Sequence, residues 1–275
     1  MAGRRRNNRC DTESNSSGKS TKSCSFSVEL FRRMIAEYLC TFLFILIAGV
    51  ATPNGDQSDV DVMKTALTLG MAVVTLIHCF ERISGAHMNP AISIGMMTAR
   101  HVSPLTGVVY IVAQSIGAIT GTALLKGCLP DLVQTNTGMN DLDLGIINGF
   151  QAFALELIMT FILMFTFFAT TEDNNLIGHR PSGAVPVGLA FLLNTLWGFK
   201  FTGASMNPVR ILGPLVILGN LENIWVYVAG PTCGCLLAAF VYKYIFNASK
   251  GQWMTPSTYD DQEEIELEAP ASQDA

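Results

Sequence analysis

The sequence contains few charged residues, and its cysteines show no pattern typical of a disulfide-bonded protein. Charged residues make up 14% of the chain, whereas an ordinary soluble domain has about 25%. Long apolar stretches are nearly free of charge, and hydrophobic residues reach 49%. This composition argues against a soluble globule and favours a chain that crosses a membrane several times. The seven cysteines are odd in number and lack paired spacing, so we expect no structural disulfide and no metal site.

The sequence also lacks the residue patterns of a catalytic centre. It has no nucleophile paired with a base and no phosphate-binding glycine loop, so neither an enzyme nor a cofactor is expected. The net charge is −5, and no nucleic-acid partner is expected. The first 28 residues are polar, so no cleavable signal peptide is expected either.

Six apolar segments are each near or above the length that crosses a bilayer, for which a helix needs about 20 residues. They cover approximately residues 30–52, 62–81, 104–126, 148–170, 183–199 and 222–246. Two shorter segments, 89–99 and 207–218, cannot cross alone, since ten helical residues rise only about 15 Å. Two that meet end to end would span the core. The sequence therefore predicts an all-α membrane protein with six transmembrane helices and two re-entrant half-helices.

The two ends of the chain differ from its apolar centre and from each other. Residues 1–28 are basic and polar, and residues 248–275 are acidic. We interpret both as disordered tails around a membrane domain of residues 29–247. An even number of crossings places both tails on one side. Of the 17 Lys and Arg residues, 13 fall on that side, which predicts that both tails are cytoplasmic.

The membrane domain consists of two similar halves, about 30–126 and 148–246. The stretch AEYLCTFLFILIAG resembles LELIMTFILMFTFF, and Glu37 precedes Asn89 by 52 residues where Glu156 precedes Asn207 by 51. Each half holds three crossings, so the second half must enter the membrane in the opposite orientation. Inverted repeats of this kind are typical of proteins that carry solutes near the membrane midplane.

Each short segment begins with an Asn-Pro pair. The two triplets are Asn89-Pro90-Ala91 and Asn207-Pro208-Val209. Asn is a preferred N-cap and Pro suits the first helical position, so each pair predicts the start of a helix. The preceding stretches SGAH and TGAS suit non-helical backbone. At membrane depth such backbone is tolerated only where it is buried or lines a wet cavity, which predicts a re-entrant loop before each half-helix.

Two half-helices that meet by their N-termini would create a positive electrostatic focus near the membrane centre. The two Asn amides could donate hydrogen bonds to a passing solute, and carbonyls of the two loops could accept them. The candidate carbonyls belong to Gly85, Ala86, His87, Gly203, Ala204 and Ser205. The prediction is a narrow polar path with a barrier to cations. Alternatively, each pair only ends a broken buried helix, but two copies in register favour the path.

These stretches resemble the aquaporin (major intrinsic protein) family. The resemblance rests on SGAHMNPA, TGASMNPVR, AEYLCTFLF, AQSIGA and AGPTCGCLLAA, and it covers about residues 29–247. It implies a homotetramer in the lipid bilayer of the plasma membrane, with one pore per subunit. Such a pore passes water, and in some members small neutral solutes, while it excludes ions and protons. Most family members have Ala at the position of Val209. The extra methyl groups of Val209 are expected to narrow the pore slightly or to shift the Asn207 contact.

The resemblance also assigns a selectivity filter by spacing from the two Asn residues. The assigned residues are Leu69, Thr195, Ala204 and Arg210. Water-selective members usually have Phe, His and Cys at the first three positions, so only the Arg is retained. Leu69 and Thr195 remove bulk, and Thr195 is expected still to donate one hydrogen bond. Because such pores select by width, donors and charge, we expect glycerol or urea to pass with water.

Other residues indicate which branch of the family is closest. Glycerol channels usually have Asp after the filter Arg, where this chain has Ile211. Tyr227 is similar to the water branch, whereas Val228 is not. The chain therefore resembles a water-branch member with a widened filter, similar to the insect glycerol-permeable channels derived from that branch.

The resemblance implies that Glu37 and Glu156 accept hydrogen bonds from the re-entrant loops and stiffen them. The alternative is that they carry protons in a coupled secondary transporter, although the sequence offers no acid at the midplane. A strictly water-selective channel is a further alternative. Val209 and the long charged tails leave open a poorly conducting junctional or signalling protein on the same fold.

Overall fold

A computed structural model of the chain describes residues 28–52, 58–129, 146–172, 183–219 and 223–246. The regular elements within these ranges are all helices. In chain order they are α1 (Val28–Ala51), α2 (Asp59–Phe80), α3 (Pro90–Thr98), α4 (Pro104–Cys128), α5 (Gly149–Glu172), α6 (Ala184–Thr202), α7 (Val209–Leu218), α8 (Ile224–Phe240) and a π-helical turn (Val241–Phe246). Six of them are long and apolar enough to span a membrane, and α3 and α7 are the short ones. The predicted all-α membrane fold is confirmed.

Capping residues, rather than the limits of the apolar runs, determine where two helices begin and end. Helix α2 begins at Asp59, three residues before the apolar run, because the Ser58 hydroxyl accepts the Asp61 N–H at 3.2 Å. Helix α6 continues past Lys200 to Thr202 and ends at Gly203, whose φ of 71° is left-handed. Val28, assigned above to the N-terminal tail, begins α1. The two tail predictions otherwise concern residues 1–27 and 248–275, outside the described residues.

The spanning helices pack in pairs that follow the repeat. Helix α1 packs on α4, and α5 packs on α8 in the same way, while α2 and α6 pack across the two halves. Each half-helix packs on the last spanning helix of the opposite half, α3 on α8 and α7 on α4. The two halves are therefore interlocked, and the half-helices lie between them.

Glycines at matched positions allow the paired helices to approach closely. A Cβ atom added to Gly117 on α4 would lie 2.6 Å from the Tyr38 carbonyl oxygen on α1. A Cβ atom added to Gly234 on α8 would lie 2.4 Å from the Leu157 carbonyl oxygen on α5. Small residues allow such backbone contact between membrane helices, which gain stability mainly from close packing.

Two lysines hold the outer ends of the half-helices. Lys243 Nζ donates to the Ala99 carbonyl at the end of α3, and Lys126 Nζ donates to the Ile217 carbonyl near the end of α7, each at 3.3 Å. The last carbonyls of a helix lack partners within it and carry the negative end of the helix dipole. Each half-helix is thus capped by a cation from the opposite half.

Replacing Gly234 by Ala should destabilise the protein, because the new methyl group would press on the Leu157 carbonyl. Overpacking of this kind costs about 1–3 kcal/mol. We expect Gly234→Ala to lower the midpoint of thermal unfolding in detergent. The matched control is Gly127→Ala, since nothing lies within 4 Å of a Cβ atom there. Equal midpoints for the two variants would contradict the close contact.

Candidate functional site

The two re-entrant loops have the same unusual backbone conformation. Positive φ angles recur at three matched pairs of residues: Gly85 and Gly203 (93° and 71°), Ala86 and Ala204 (51° and 46°), Met88 and Met206 (52° and 53°). Residues other than glycine rarely adopt this region, and they persist there only where the surroundings hold them. The loops must therefore be held by strong contacts with the helices around them.

Glu37 provides those contacts for the first loop. Its carboxylate is fully buried on α1 and accepts four hydrogen bonds. Oε1 accepts from the Ser84 hydroxyl (2.6 Å) and from the His87 N–H (2.9 Å). Oε2 accepts from the Met88 N–H (2.9 Å) and from Gln114 Nε2 (2.8 Å). Hydrogen bonds to an ionised acceptor are about twice as strong as neutral ones, so the loop is firmly tied to α1 and α4.

Glu156 does the same for the second loop. It is fully buried on α5. Its carboxylate accepts from the Thr202 hydroxyl (2.6 Å), the Ser205 N–H (2.9 Å) and the Met206 N–H (2.7 Å). The Thr202 hydroxyl in turn accepts the Ala204 N–H at 3.2 Å. The matching geometry supports a loop-holding role for both acids. Sequence reasoning missed the hydroxyls of Ser84 and Thr202, although they hold matched places before the two Asn-Pro pairs.

The two Asn amides join the loops to each other. Asn89 Nδ2 donates to the Met206 carbonyl at 2.7 Å, and Asn207 Nδ2 donates to the Met88 carbonyl at 2.8 Å. Each amide nitrogen carries two protons, so each keeps one for another acceptor. The crossed bonds bring the starts of the two half-helices together.

The second half-helix begins differently from the first. Asn89 Oδ1 accepts the Ala91 N–H at 2.9 Å, and α3 begins at Pro90. Asn207 Oδ1 accepts the Val209 N–H at 3.1 Å, but α7 begins at Val209 rather than at Pro208 as predicted. Its first turn is tighter, because the Arg210 N–H donates to the carbonyl of Asn207, only three residues earlier. The similar Asn contacts in the two loops indicate that the extra methyl groups of Val209 do not displace Asn207.

Arg210 lies against the second loop and is buried, with 2% of its surface exposed. Its Nη1 donates to the Ala204 carbonyl at 2.6 Å and lies 3.4 Å from the carbonyls of Gly203 and Ser205. Its Nε and Nη2 have no partner among the residues that the structure describes. Three of the carbonyls that we expected to face a solute therefore share the guanidinium group, and the other two guanidinium nitrogens remain as donors.

Thr195 does not offer the donor that we expected of it. Its hydroxyl donates to the Phe191 carbonyl on the same helix at 2.8 Å. A hydroxyl has a single proton, so Thr195 can offer a solute only an acceptor. The expectation of a Thr195 donor is wrong, because the hydroxyl proton is already donated to the helix carbonyl one turn earlier.

A cavity lies directly beside the Asn pair on the side of the first loop. The centre of a water molecule can occupy about 20 Å³ of it, which is enough to hold a water. Its polar side chains are His87, Asn89 and Asn207. Its other lining residues are apolar: Phe44, Val73, Ile77, Ala86, Met88, Ile92, Leu163, Phe167, Val187 and Phe191. The cavity is therefore mostly apolar, and its few polar groups include the Asn pair at the junction of the half-helices.

The repeat relates this cavity to the predicted filter. The residues that match Leu69, Thr195, Ala204 and Arg210 in the opposite half are Val187, Ile77, Ala86 and Ile92, at the same spacings from the two Asn residues. All four of these matched residues line the cavity. Because an inverted repeat relates one half of a pathway to the other, the geometry supports a place for the four filter residues along the opposite half. The filter residues themselves are buried.

Sequence reasoning missed the wall residues that the spanning helices contribute to the cavity. Phe44 and Leu163 each follow a buried acid by seven residues, Glu37 and Glu156 respectively, and both line the cavity. Seven residues are about two helical turns, so these side chains share a helix face with the acids. The repeat and the helical periodicity together would have predicted Phe44 and Leu163 from the sequence.

Six spanning helices around two joined half-helices define an inverted-repeat membrane protein with a central solute path. The family model described as "Major intrinsic protein" matches residues 24–242. Aquaporin-4 of Rattus norvegicus is 36% identical over 220 residues, which cover 78% of this chain and 68% of that protein. Aquaporin-2 of Bos taurus is 34% identical over 219 residues, which cover 80% of both chains. The chain belongs to the major intrinsic protein family.

A solved structure agrees with this assignment. The X-ray structure of the aquaglyceroporin from Plasmodium falciparum is similar to this chain, with a TM-score of 0.69 and 27% sequence identity. The match covers 78% of this chain and 96% of that one. The aquaporin-like fold predicted from the Asn-Pro pairs is confirmed.

Replacing Glu156 by Gln should destabilise the second loop. A Gln amide has one oxygen, so its NH₂ group would face one of the loop N–H groups and leave that donor without an acceptor. A buried unsatisfied donor costs about 1–3 kcal/mol. We expect a lower midpoint of thermal unfolding than for the parent protein. Glu29→Gln is the control, because Glu29 forms an exposed ion pair with Arg33. Parent-like unfolding of Glu156→Gln would exclude the loop-holding role.

Proposed function

We propose that this protein is a passive channel for water and small uncharged solutes such as glycerol and urea. The observation that carries the proposal is the pair of crossed Asn amides at the junction of the half-helices, beside the apolar cavity. Each amide keeps one proton for a passing oxygen, while the apolar wall binds the solute only weakly. A solute that is oriented but not retained can pass rapidly.

The same arrangement would exclude cations. The N-termini of α3 and α7 bring the positive ends of two helix dipoles to the Asn pair. Arg210 adds a buried positive charge in the second loop. A cation on this path would lose its hydration while it meets positive potential at two successive places. We infer that ions and protons are excluded by this potential.

The residues assigned to the filter support a pore wider than that of a strictly water-selective channel. Leu69, Thr195 and Ala204 are all smaller than the Phe, His and Cys usual there, and Thr195 has already used its proton. Arg210 then provides the donors. Similarity to an aquaglyceroporin is consistent with this reading, whereas similarity to aquaporin-4 and aquaporin-2 leaves a strictly water-selective channel as the alternative.

We also infer the setting of the channel from the sequence and the family. Residues 29–247 form the channel domain of a homotetramer in the plasma membrane, and both tails are cytoplasmic. In the described ranges, Arg32, Arg33, Arg82 and Arg100 lie at the ends of helices on the predicted cytoplasmic side. The buried acids have their oxygens occupied by loop donors, which argues against a proton-coupled transporter. Asn207 makes the same contacts as Asn89, which argues against a poorly conducting junctional or signalling protein.

The direct test is a swelling measurement on the purified protein in liposomes. We expect water permeability well above that of empty liposomes, glycerol and urea permeability above background, and no proton or sodium leak. A rise in water permeability alone would favour the strictly water-selective alternative. No rise for any of these solutes, with the protein correctly inserted, would exclude the proposed function.

Restoring bulk to the filter should affect glycerol more than water. The double variant Leu69→Phe and Thr195→His narrows two walls, and glycerol is wider than water. We expect glycerol permeability to fall by about tenfold or more, which corresponds to a barrier increase of about 1.4 kcal/mol, while most water permeability remains. Leu67→Phe on the exposed face of α2 is the matched control. An equal fall for the two solutes would show that the filter is wrongly assigned.

A further inference from the structure

Asn194 is a fully buried polar side chain on α6, directly before the assigned filter residue Thr195. An amide inside a membrane protein is stable only if its polar atoms find partners within the protein. Asn194 Nδ2 donates to the Met159 carbonyl on α5 at 2.8 Å. Its Oδ1 accepts from Trp197 Nε1 on the same helix at 3.3 Å. The side chain therefore joins α6 to α5.

The two partners fix the orientation of the Asn194 amide. A backbone carbonyl can only accept a hydrogen bond, and an indole N–H can only donate one. Exchanging the two ends of the amide would bring two acceptors together at Met159 and two donors together at Trp197. The amide nitrogen must therefore face α5, and the contact between the two helices is a true hydrogen bond.

The same two helices also touch closely one turn further along α6. A Cβ atom added to Gly198 would lie 2.3 Å from Met159 Sδ and 3.6 Å from the Cβ atom of Ala204. Residues four apart lie on the same face of a helix, so Asn194 and Gly198 both face Met159. We call these three residues the α5–α6 joint. The joint lies beside Ala204, which is assigned to the filter.

The joint connects two sides of the assigned filter through one stretch of α5. Glu156, one turn before Met159, holds the second loop and with it Ala204. Helix α6 carries Thr195. Membrane helices have no hydrophobic force to bring them together, so packing and interhelical hydrogen bonds decide their spacing. The distance between the Thr195 side and the Ala204 side of the path is therefore set on α5.

We propose that Asn194 is a positioning residue that sets the width of the filter, because it ties α6 to the part of α5 that holds the second loop. The inference rests on the proposed channel function and on the assigned filter. Asn194 acts through Thr195, and its effect is on discrimination by size between water and a small polyol such as glycerol. A pore that selects by diameter needs walls whose spacing is fixed.

The first half of the chain does not repeat this joint. The residues that match Asn194 and Gly198, at the same spacing from the first Asn-Pro pair, are Leu76 and Phe80. A leucine side chain forms no hydrogen bond, and a phenylalanine leaves no gap for a neighbouring helix. The joint is therefore not part of the repeated architecture, and it belongs to the half that contributes Thr195.

The hydrogen bond between α6 and α5 can be measured without transport. In the described part of the chain, Asn89, Asn194 and Asn207 each donate a side-chain N–H to a Met carbonyl. The full chain in bilayers, labelled with ¹⁵N in Asn side chains and ¹³C in Met carbonyls, should show these contacts by solid-state NMR. We expect Asn194→Leu to remove its own contact and to keep those of the Asn pair. A variant spectrum with every contact of the parent would overturn the proposal.

Permeability measurements in liposomes test the effect on solutes. Asn194→Leu keeps the approximate size of the side chain but allows α6 and the second loop to separate. We expect the ratio of glycerol to water permeability to rise at least about twofold, a ratio that the amount of inserted protein does not change. Trp197→Phe keeps the bond to Met159 and should have a smaller effect. Leu193→Val on the exposed face of α6 is the control.

The two kinds of failure are distinguishable. A parent-like glycerol-to-water ratio in a correctly inserted Asn194→Leu variant would overturn the positioning role while the channel function stands, and so would an equal fall for both solutes. A parent protein that passes no solute would exclude the channel function, and the NMR contact would still test the joint. If Asn194→Leu does not fold, the shorter Asn194→Ser cannot reach Met159, and a parent-like ratio in that variant would overturn the proposal.

Discussion

The fold depends on two buried carboxylates that accept the N–H groups of two irregular loops. Backbone that leaves a helix inside a membrane loses its internal hydrogen bonds, and no lipid can replace them. Glu37 and Glu156 supply the missing acceptors, and the hydroxyls of Ser84 and Thr202 complete each set. Once the loops are held, the half-helices can begin at the centre of the protein instead of at its surface.

The loops then determine what the path offers to a solute. The crossed amides of Asn89 and Asn207 place two donors and two helix N-termini at one point. Beyond that point the halves differ in chemistry although they share a backbone. Arg210 donates to a carbonyl of the second loop and adds a positive charge there. A mostly apolar cavity that His87 also lines lies beside the first loop. Similar loop geometry thus carries two different sets of side chains, one in each half.

Much of this arrangement could be predicted from the chain alone. Apolar length revealed the six crossings, and the spacing of Glu37 to Asn89 and Glu156 to Asn207 revealed the repeat. One expectation failed. The proton expected from Thr195 is donated to the Phe191 carbonyl instead. A residue type states how many protons a side chain has, but neighbouring atoms decide where those protons go.

The sequence by itself determined the helices, their inverted order and the identity of the Asn pair, because apolar periodicity, capping chemistry and spacing are local properties of the chain. Only the tertiary structure decided which residues form the cavity wall, which carbonyls contact Arg210 and which donors the two buried acids accept. Those properties follow from contacts between residues far apart in the chain, such as Gln114 with Glu37, 77 positions away. Hydrogen bonds have direction, and that direction is settled only when both partners are in place.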